Sequence, residues 1–243
     1  YAELRRRLEG SPGVASVTYA DSVPLTFADS GTSVVIDGSG ADGTEPQRMR
    51  VGTWVVDRGY FETLGIPLVA GRDFAPADTS TTGDVAIVNE TFARHAWPGG
   101  SPADAVGRTY LSGEQRVTIV GVAANSKYVT LGESPTPFVY RPQGQRWDAG
   151  QTLLIRMSGD PSAATRLVEQ AVASIDPRLP RTTVTTLERE ISVTLLPQRV
   201  AAMVTGVLGV AGLLLAAIGL YGLVSYGVAL RLREIGVRLA LGA

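Results

Sequence analysis

Cysteine is absent from the 243 residues, which excludes a disulfide framework and any thiolate metal site and suits an oxidising compartment. Histidine and lysine occur once each, as His95 and Lys127. One imidazole supplies neither a nucleophile–base–acid triad nor a histidine-rich metal centre, and it is expected at the last turn of a helix, where positive charge is favoured. No Walker lysine loop and no G-x-S-x-G nucleophile elbow is present. An excess of basic charge is also missing. Of 22 Lys and Arg and 23 Asp and Glu, only Arg231, Arg233, Glu234 and Arg238 lie beyond Arg199, which leaves the preceding part about three units negative. Such a surface has no footprint for gripping nucleic acid. The first residues, Tyr1-Ala-Glu-Leu-Arg-Arg-Arg-Leu-Glu-Gly10, hold no initiator Met and no apolar stretch, so they form no signal peptide. With Leu239-Ala-Leu-Gly-Ala243 stopping in mid-pattern, both ends are expected to continue in a longer chain.

What the sequence does have is one long apolar run. Val200 to Leu230 is 31 residues without a formal charge, where a bilayer core needs about 20. A soluble core helix of that length would carry a polar face, so a transmembrane helix is expected over about 200–230. Ala202 with Gly206, and Gly212 with Ala216, have small-xxx-small spacing, and Gly219 and Gly222 add further small positions. These six are the candidate helix-packing residues, since small side chains let a neighbouring helix approach in lipid. Tyr221 and Tyr226 suit the inner headgroup region. Arg231, Arg233 and Arg238 follow the span, against Arg189 and Arg199 before it, which places the preceding domain outside the cytoplasm.

The first part reads as an α+β domain with mixed sheets. A basic amphipathic helix is expected at about Ala2 to Leu8, stopped by Gly10 and Pro12. Strands are expected at Val14 to Tyr19, Thr32 to Ile36, Met49 to Val56, Leu68 to Ala70, Asp84 to Asn89, Pro137 to Arg141 and Thr152 to Met157, with a hairpin of Arg108 to Leu111 and Gln115 to Ala123. Tyr60 to Gly65 reads as a short helix closed by glycine, and Asn89 as the N-cap of a helix over Glu90 to Ala96. Asp160-Pro161 opens a helix with apolar residues at Ala164, Leu167, Val168, Ala171, Val172 and Ile175, followed by a strand over Thr182 to Thr185. Thr185 and Glu188 have capping-box spacing for a linker helix that Pro197 ends.

Two features imitate sites. Gly38-Ser-Gly40-Ala-Asp-Gly43 fits G-x-G-x-x-G, but Pro46 stands where a phosphate-binding helix would begin, so a hairpin loop is expected. Asp73, Asp78 and Asp84 lack the rhythm of a calcium loop and are expected as solvated loop acids. No catalytic residue, cofactor site or metal site is expected in this chain.

The text from Leu220 to Ala243, above all Arg233-Glu-Ile-Gly-Val-Arg-Leu-Ala-Leu-Gly-Ala243, resembles the FtsX-like permease domain of MacB-type ABC transporters. Tyr60-Phe-Glu-Thr-Leu-Gly-Ile-Pro-Leu-Val-Ala-Gly-Arg-Asp-Phe74 and Val88-Asn-Glu-Thr-Phe-Ala-Arg-His-Ala-Trp-Pro-Gly99 resemble the periplasmic core domain of the same proteins. The resemblance implies an extracytoplasmic domain over 1–195 inserted between the first and second transmembrane helices of a permease. It also implies two subdomains, one of 1–50 with 150–195 and one of 51–149 inserted in it, before a permease segment over 196–243. Leu196-Pro-Gln-Arg-Val200 and Gly219-Leu-Tyr-Gly222 resemble the duplicated permeases that lack a fused ATPase. The implied partners are a cytoplasmic ABC ATPase that binds the ATP, other permease helices or a second permease unit, the lipid bilayer and a periplasmic adaptor. The implied location is the bacterial inner membrane, with residues up to about 199 outside. Arg231, Arg233, Glu234 and Arg238 become candidate ATPase-facing residues, and the expected function is coupling of ATP hydrolysis to motion of the outer domain. The competing expectation is a single-pass sensor or receptor ectodomain.

Overall fold

Strand β2 (Gly31–Ile36) pairs with β3 (Arg48–Val56) on one side and with β6 (Thr109–Ser112) on the other, and this double pairing closes a ring. From β6 the pairing continues through β7 (Gln115–Ala123), β5 (Val85–Asn89) and β8 (Phe138–Pro142) back to β3. The β3–β8 and β5–β7 pairs are parallel and the other pairs of the ring antiparallel, so the sheet is mixed, as expected. Beyond β3 the sheet extends to β1 (Val14–Ala20) and β9 (Thr152–Met157), while β4 (Leu68–Gly71) pairs with the end of β7. These relations come from a computed structural model that describes residues 2–25, 31–38, 45–146, 150–176, 183–189 and 196–240, with side chains at all of these except 2, 196–199 and 229–240. The chain separates into two compact units, 1–191 and 192–243.

Burial follows from the alternation along each strand. One face of the ring collects Val34, Ile36, Val51, Ala86, Val88, Tyr110, Val117, Ile119, Val122 and Val139, drawn from all six strands, with Phe92, Ala93 and Ala96 of α3 (Glu90–Ala96) against them. The other face carries Trp54, Ile87, Ala123, Phe138 and Tyr140, joined by Tyr60 and Phe61 of α2 (Tyr60–Leu64). Strand β5 serves both clusters, which is why Val85-Ala-Ile-Val reads as a continuous apolar run rather than an alternating one. A third cluster lies outside the ring. There α1 (Ala2–Glu9) and α4 (Ala163–Ile175) cover β1 and β9 through Leu8, Val17 and Val168, with Leu153, Ile155 and Leu167 packed around them. This outer layer meets the ring in one ladder pair, Ala20 opposite Val56.

Two expectations at the end of the first unit are corrected. Of the strand expected over 182–185, Thr182 lies outside the described residues, and residues 183–186 are not a strand: Thr-Val-Thr-Thr holds one apolar side chain, Val184, which packs on the outer-layer cluster. The cap of the following helical turn is Thr186 rather than Thr185, its hydroxyl accepting from the Arg189 amide at 3.3 Å.

Among its described residues the second unit is one helix, α5 (Leu196–Ala240), of 45 residues, or about 68 Å at the usual rise. Pro197 does not end a linker helix; it occupies the first turn of α5, where its missing N–H costs no intrahelical bond. Val200–Val228, with mean hydropathy 2.4, is long and apolar enough to cross a membrane. None of that window is buried within the chain.

Candidate functional site

The densest chemistry in the first unit lies at the seam between ring and outer layer, around α2. Gly59 (φ 75°) and Gly65 (φ 71°) both adopt left-handed backbone, which starts and stops the helix within five residues. At the C-terminal end the Ile66 amide reaches back to the Phe61 carbonyl at 2.8 Å and the Gly65 amide to Glu62 at 3.1 Å, a glycine-closed stop. Tyr60 and Phe61 are 0 % and 2 % exposed. Phe61 meets Tyr140 edge-on at 4.9 Å between centroids, a contact of a kind that adds about 0.5–1.5 kcal/mol beyond area burial. On its other side Thr63 Oγ1 donates to Ser16 Oγ of β1 at 3.0 Å, and the Thr63 carbonyl accepts from Arg156 Nε of β9 at 2.7 Å.

Asn89 organises the opposite flank of the aromatic cluster. Its Oδ1 accepts from the Phe92 amide at 2.8 Å, the cap expected from sequence, and also from the Phe138 amide at 3.0 Å. Its Nδ2 donates to the Thr136 carbonyl at 2.7 Å and to the Tyr128 hydroxyl at 3.2 Å. Tyr128 in turn stacks on Phe138 at 3.7 Å and accepts from the Tyr140 hydroxyl at 3.1 Å. Glu133 fixes this loop, its carboxylate accepting from the amides of Tyr128, Val129 and Thr130. Burial raises the phenols of Tyr60, Tyr128 and Tyr140 above their ordinary range, so all three are neutral at physiological pH.

Several charged groups near this region are held in pairs or by backbone amides. Arg5 of α1 bridges Glu9 and Asp57, each at 2.6 Å, beside an open cleft of about 970 Å³ lined by Tyr19, Arg58, Phe74, Pro76 and Pro142. The expectation of solvated acids at Asp73, Asp78 and Asp84 is corrected. Asp78 is 7 % exposed, receives two bonds from Arg72 at 2.7 and 2.9 Å and a third from the Ala75 amide, and its carboxyl is held below the usual range chiefly by the Arg72 bonds. Asp73 accepts from the amides of Gly59 and Phe74. Asp84 lies 3.1 Å from the guanidinium of buried Arg141, close enough to pair although the N–H directions miss the carboxylate. Burial pushes the nearby Tyr110 phenol up to about 12, with Arg141 acting in the opposite direction. Among the described residues no group of three His, Asp or Glu could hold a metal. His95 lies exposed in the last turn of α3, and the G-x-G-x-x-G text falls, apart from Gly38, outside the described residues.

On α5 the helix brings most of the candidate packing residues together. At 3.6 residues per turn, Ala202, Gly206, Gly212, Ala216 and Gly219 fall within a sector of about 140°, and Gly222 lies about 60° outside it. Thr205 and Gly209 complete this stripe, so that 202, 205, 209, 212, 216 and 219 advance in alternating steps of three and four. A Cβ added at Gly206, Gly209, Gly212, Gly219 or Gly222 would meet nothing within 4 Å. Arg231, Arg233, Glu234 and Arg238 lie on the continuous backbone of α5, and their side chains are outside those described.

Known proteins bear on these two units unequally. The chain is 29 % identical over 194 residues to the macrolide export ATP-binding/permease protein MacB 1/2 of Paracoccus denitrificans, covering 76 % of this chain and 28 % of that protein. It is 24 % identical over 255 aligned residues to MacB of Escherichia coli K12, covering 97 % of this chain and 35 % of that protein. The chain thus spans about a third of the length of the curated relatives it matches. The crystal structure of the periplasmic region of MacB from Actinobacillus actinomycetemcomitans superposes with a TM-score of 0.49 at 14 % identity, over 72 % of this chain and 73 % of that one. That of the extracellular domain of the noncanonic ABC-type transporter YknZ from Gram-positive bacteria gives 0.49 at 14 %, over 76 % and 88 %. The family profile of the MacB-like periplasmic core domain matches residues 1–194, four fifths of the sequence, and the chain belongs to that family.

Proposed function

We propose that this chain is the outer domain and one transmembrane helix of an ABC-type permease subunit of the MacB/FtsX kind, seated in the bacterial inner membrane with residues 1 to about 199 outside. It couples ATP hydrolysis on the cytoplasmic side to motion of the outer domain, for export or for transmission of force. The observation that carries this reading is the order of parts: a MacB-like core domain over 1–194 leads directly into the apolar span Val200–Val228. At about 1.5 Å per residue the 29-residue span exceeds a hydrocarbon core of about 30 Å. In this reading 196–243 is an FtsX-like segment, ATP is bound by a separate ATPase subunit, and the chain itself performs no catalysis. The outer domain divides into a membrane-proximal part of 1–50 with 150–195 and an inserted part of 51–149. The separate cluster of Leu8, Val17 and Val168 supports a distinct part built from α1, β1, β9 and α4, whereas β2 pairs within the ring and sides with the inserted part.

Arg231, Arg233, Glu234 and Arg238 are proposed to face the ATPase, while Ala202, Gly206, Gly212, Ala216, Gly219 and Gly222 face other permease helices or a second permease unit. Lipid surrounds the bundle and a periplasmic adaptor meets the outer domain. The test is co-purification of the full-length protein with a cytoplasmic ABC ATPase. Charge reversal at Arg233 and Arg238 is expected to abolish the complex and nucleotide-dependent transport together. Retention of both by the double reversal would remove these residues from the contact, and a full-length protein that binds no ATPase would refute the permease reading.

A further inference from the structure

The outer layer of α1, β1, β9 and α4 and the six-stranded ring share very little backbone. Their ladder is the single pair Ala20–Val56, flanked by the Asp21 amide on the Val55 carbonyl at 2.9 Å and the Asp57 amide on the Tyr19 carbonyl at 2.8 Å. A seam one residue wide resists separation and resists rocking poorly, because rotation about it breaks no further ladder bonds. Whatever transmits displacement between layer and ring must therefore lie beside the seam.

We propose that α2 is this transmitting element, a short lever held between two glycine pivots. Its attachments divide by side. Toward the ring, Tyr60 and Phe61 are sunk in the aromatic cluster against Tyr140, and the Gly59 amide is held by Asp73 Oδ2 at 2.9 Å. Toward the layer, Thr63 is bonded to Ser16 of β1 and to Arg156 of β9. Just outside the first pivot, Asp57 is bonded to Arg5 of α1 at 2.6 Å, and the Arg58 carbonyl accepts from Thr18 Oγ1 of β1 at 3.1 Å.

Gly59 and Gly65 sit in left-handed backbone at the two ends of the lever, at φ 75° and 71°. Element-terminal residues of this kind absorb the dihedral change when a packed element tilts. The lever itself stays rigid, since five residues closed at both ends have no free turn to unwind. A displacement of β1 and β9 thus reaches β8 through Thr63, the helix, and the rings of Tyr60 and Phe61. This assignment rests on the force-transmission reading for what the displacement is used for, and on the seam alone for how it travels.

The test uses the full-length protein with its ATPase. The present stretch contains no cysteine, so spin labels at Arg166→Cys on α4 and Arg116→Cys on β7, both exposed, report the layer-to-ring distance. Thr63→Val and Arg156→Met cut the two ties at the layer end and leave Tyr60 and Phe61 in place. The expected result without nucleotide is a distance distribution broadened by about twofold, as for a seam freed to rock on the hinge timescale. With a slowly hydrolysed ATP analogue, the shift seen in the parent is expected to vanish. A double variant with the parent's distribution and the parent's nucleotide shift would overturn the assignment. A parent without any nucleotide shift would instead refute force transmission, and the width without nucleotide would still decide the role of α2. If the double variant fails to fold, the single substitutions carry the same comparison, and Arg94→Ala, which breaks the exposed pair with Glu90, is the control expected to change nothing.

Discussion

Gly52 and Phe138 stand opposite one another in the parallel β3–β8 ladder, and the ring of Phe138 occupies the space that a side chain at position 52 would need. A Cβ there would lie 2.4 Å from Cε2 and 2.5 Å from Cδ2. The backbone of Gly52 is not in a glycine-only conformation, so the requirement is steric. Gly52→Ala is expected to destabilise by about 1–3 kcal/mol, the usual cost of overpacking. Phe138→Leu should cost a similar amount by losing the stack with Tyr128 and the edge contact with Trp54. The double variant should cost clearly less than the two together, measured by denaturant unfolding of the chain in micelles. Additivity would disprove the contact.

How much of this was legible differs by range of interaction. The hairpin over 109–123, the cap at Asn89 and the helix closed at Gly65 are local, each set by residues within a few positions, and the sequence pattern places them correctly. The ring closure is not local: β2 with β6 and β3 with β8 join segments far apart in the chain, and no turn chemistry announces them. Gly52 reads in isolation as a weak point in a strand, because its reason is a ring that arrives from position 138. Asp78 reads as a solvated acid for the same kind of reason, since its burial depends on how the loop folds back on Arg72. The MacB-like texts at 60–74 and 88–99 are legible as a family resemblance; the first covers α2 and β4, which flank the aromatic cluster, and the second the end of β5 and α3, which packs on the opposite face of the ring.

Asn89 is a stronger node than an N-cap alone. Replacing it by Ala removes the cap and leaves the Phe138 amide and the Thr136 carbonyl without their partner. The expected loss is about 2–4 kcal/mol, combining a cap at roughly 1 with the unsatisfied buried Phe138 amide at roughly 1–3, while the carbonyl of exposed Thr136 recovers water. Asn89→Asp should recover only part of it, since a carboxylate cannot donate to Thr136. Equal stability of the Ala and Asp variants in thermal unfolding would show that the cap contributes little.

Tyr60 gives the opposite expectation. Its hydroxyl is fully buried and has no hydrogen-bond partner among the described residues, so the phenol oxygen is desolvated without compensation. Tyr60→Phe is expected to leave stability unchanged or raise it by up to about 1 kcal/mol. A loss above that range would reveal a bond to the hydroxyl.

Asp78 links stability to pH. Its carboxyl pKa is lowered in the fold by the two Arg72 bonds and by the Ala75 amide, against the opposing effect of burial. A depressed carboxyl contributes stability that is fully present above its unfolded value, near 3.8, and is lost as pH falls through the folded value. The unfolding midpoint of the parent should therefore drop more steeply than that of Asp78→Asn as pH is taken from neutral to below that value. At neutral pH the variant should be weaker by about 1–2 kcal/mol, because Arg72 is half exposed and recovers water when the carboxylate is gone. Parallel pH curves would exclude Asp78 as the linked group.

The stripe on α5 separates what a helix needs from what an assembly needs. Gly212 lies in mid-helix with open space around it, so within this chain Gly212→Ala should favour the helix by about 1 kcal/mol. Gly212→Leu should likewise leave helicity intact, since leucine is a good helix former and meets no neighbour here. In a full-length permease the same leucine would fall on the stripe of Ala202, Thr205, Gly209, Ala216 and Gly219, whose alternating three–four spacing suits close packing against another helix in lipid. The expected outcome is normal circular dichroism in micelles combined with loss of the assembled complex on native gels. Leu214→Ala, about 200° around the helix from Gly212 and so on the face opposite the stripe, serves as the control that leaves both intact. An assembled complex that tolerates Gly212→Leu would mean that this face meets lipid, and the glycines would then reflect only the general abundance of small residues in membrane helices.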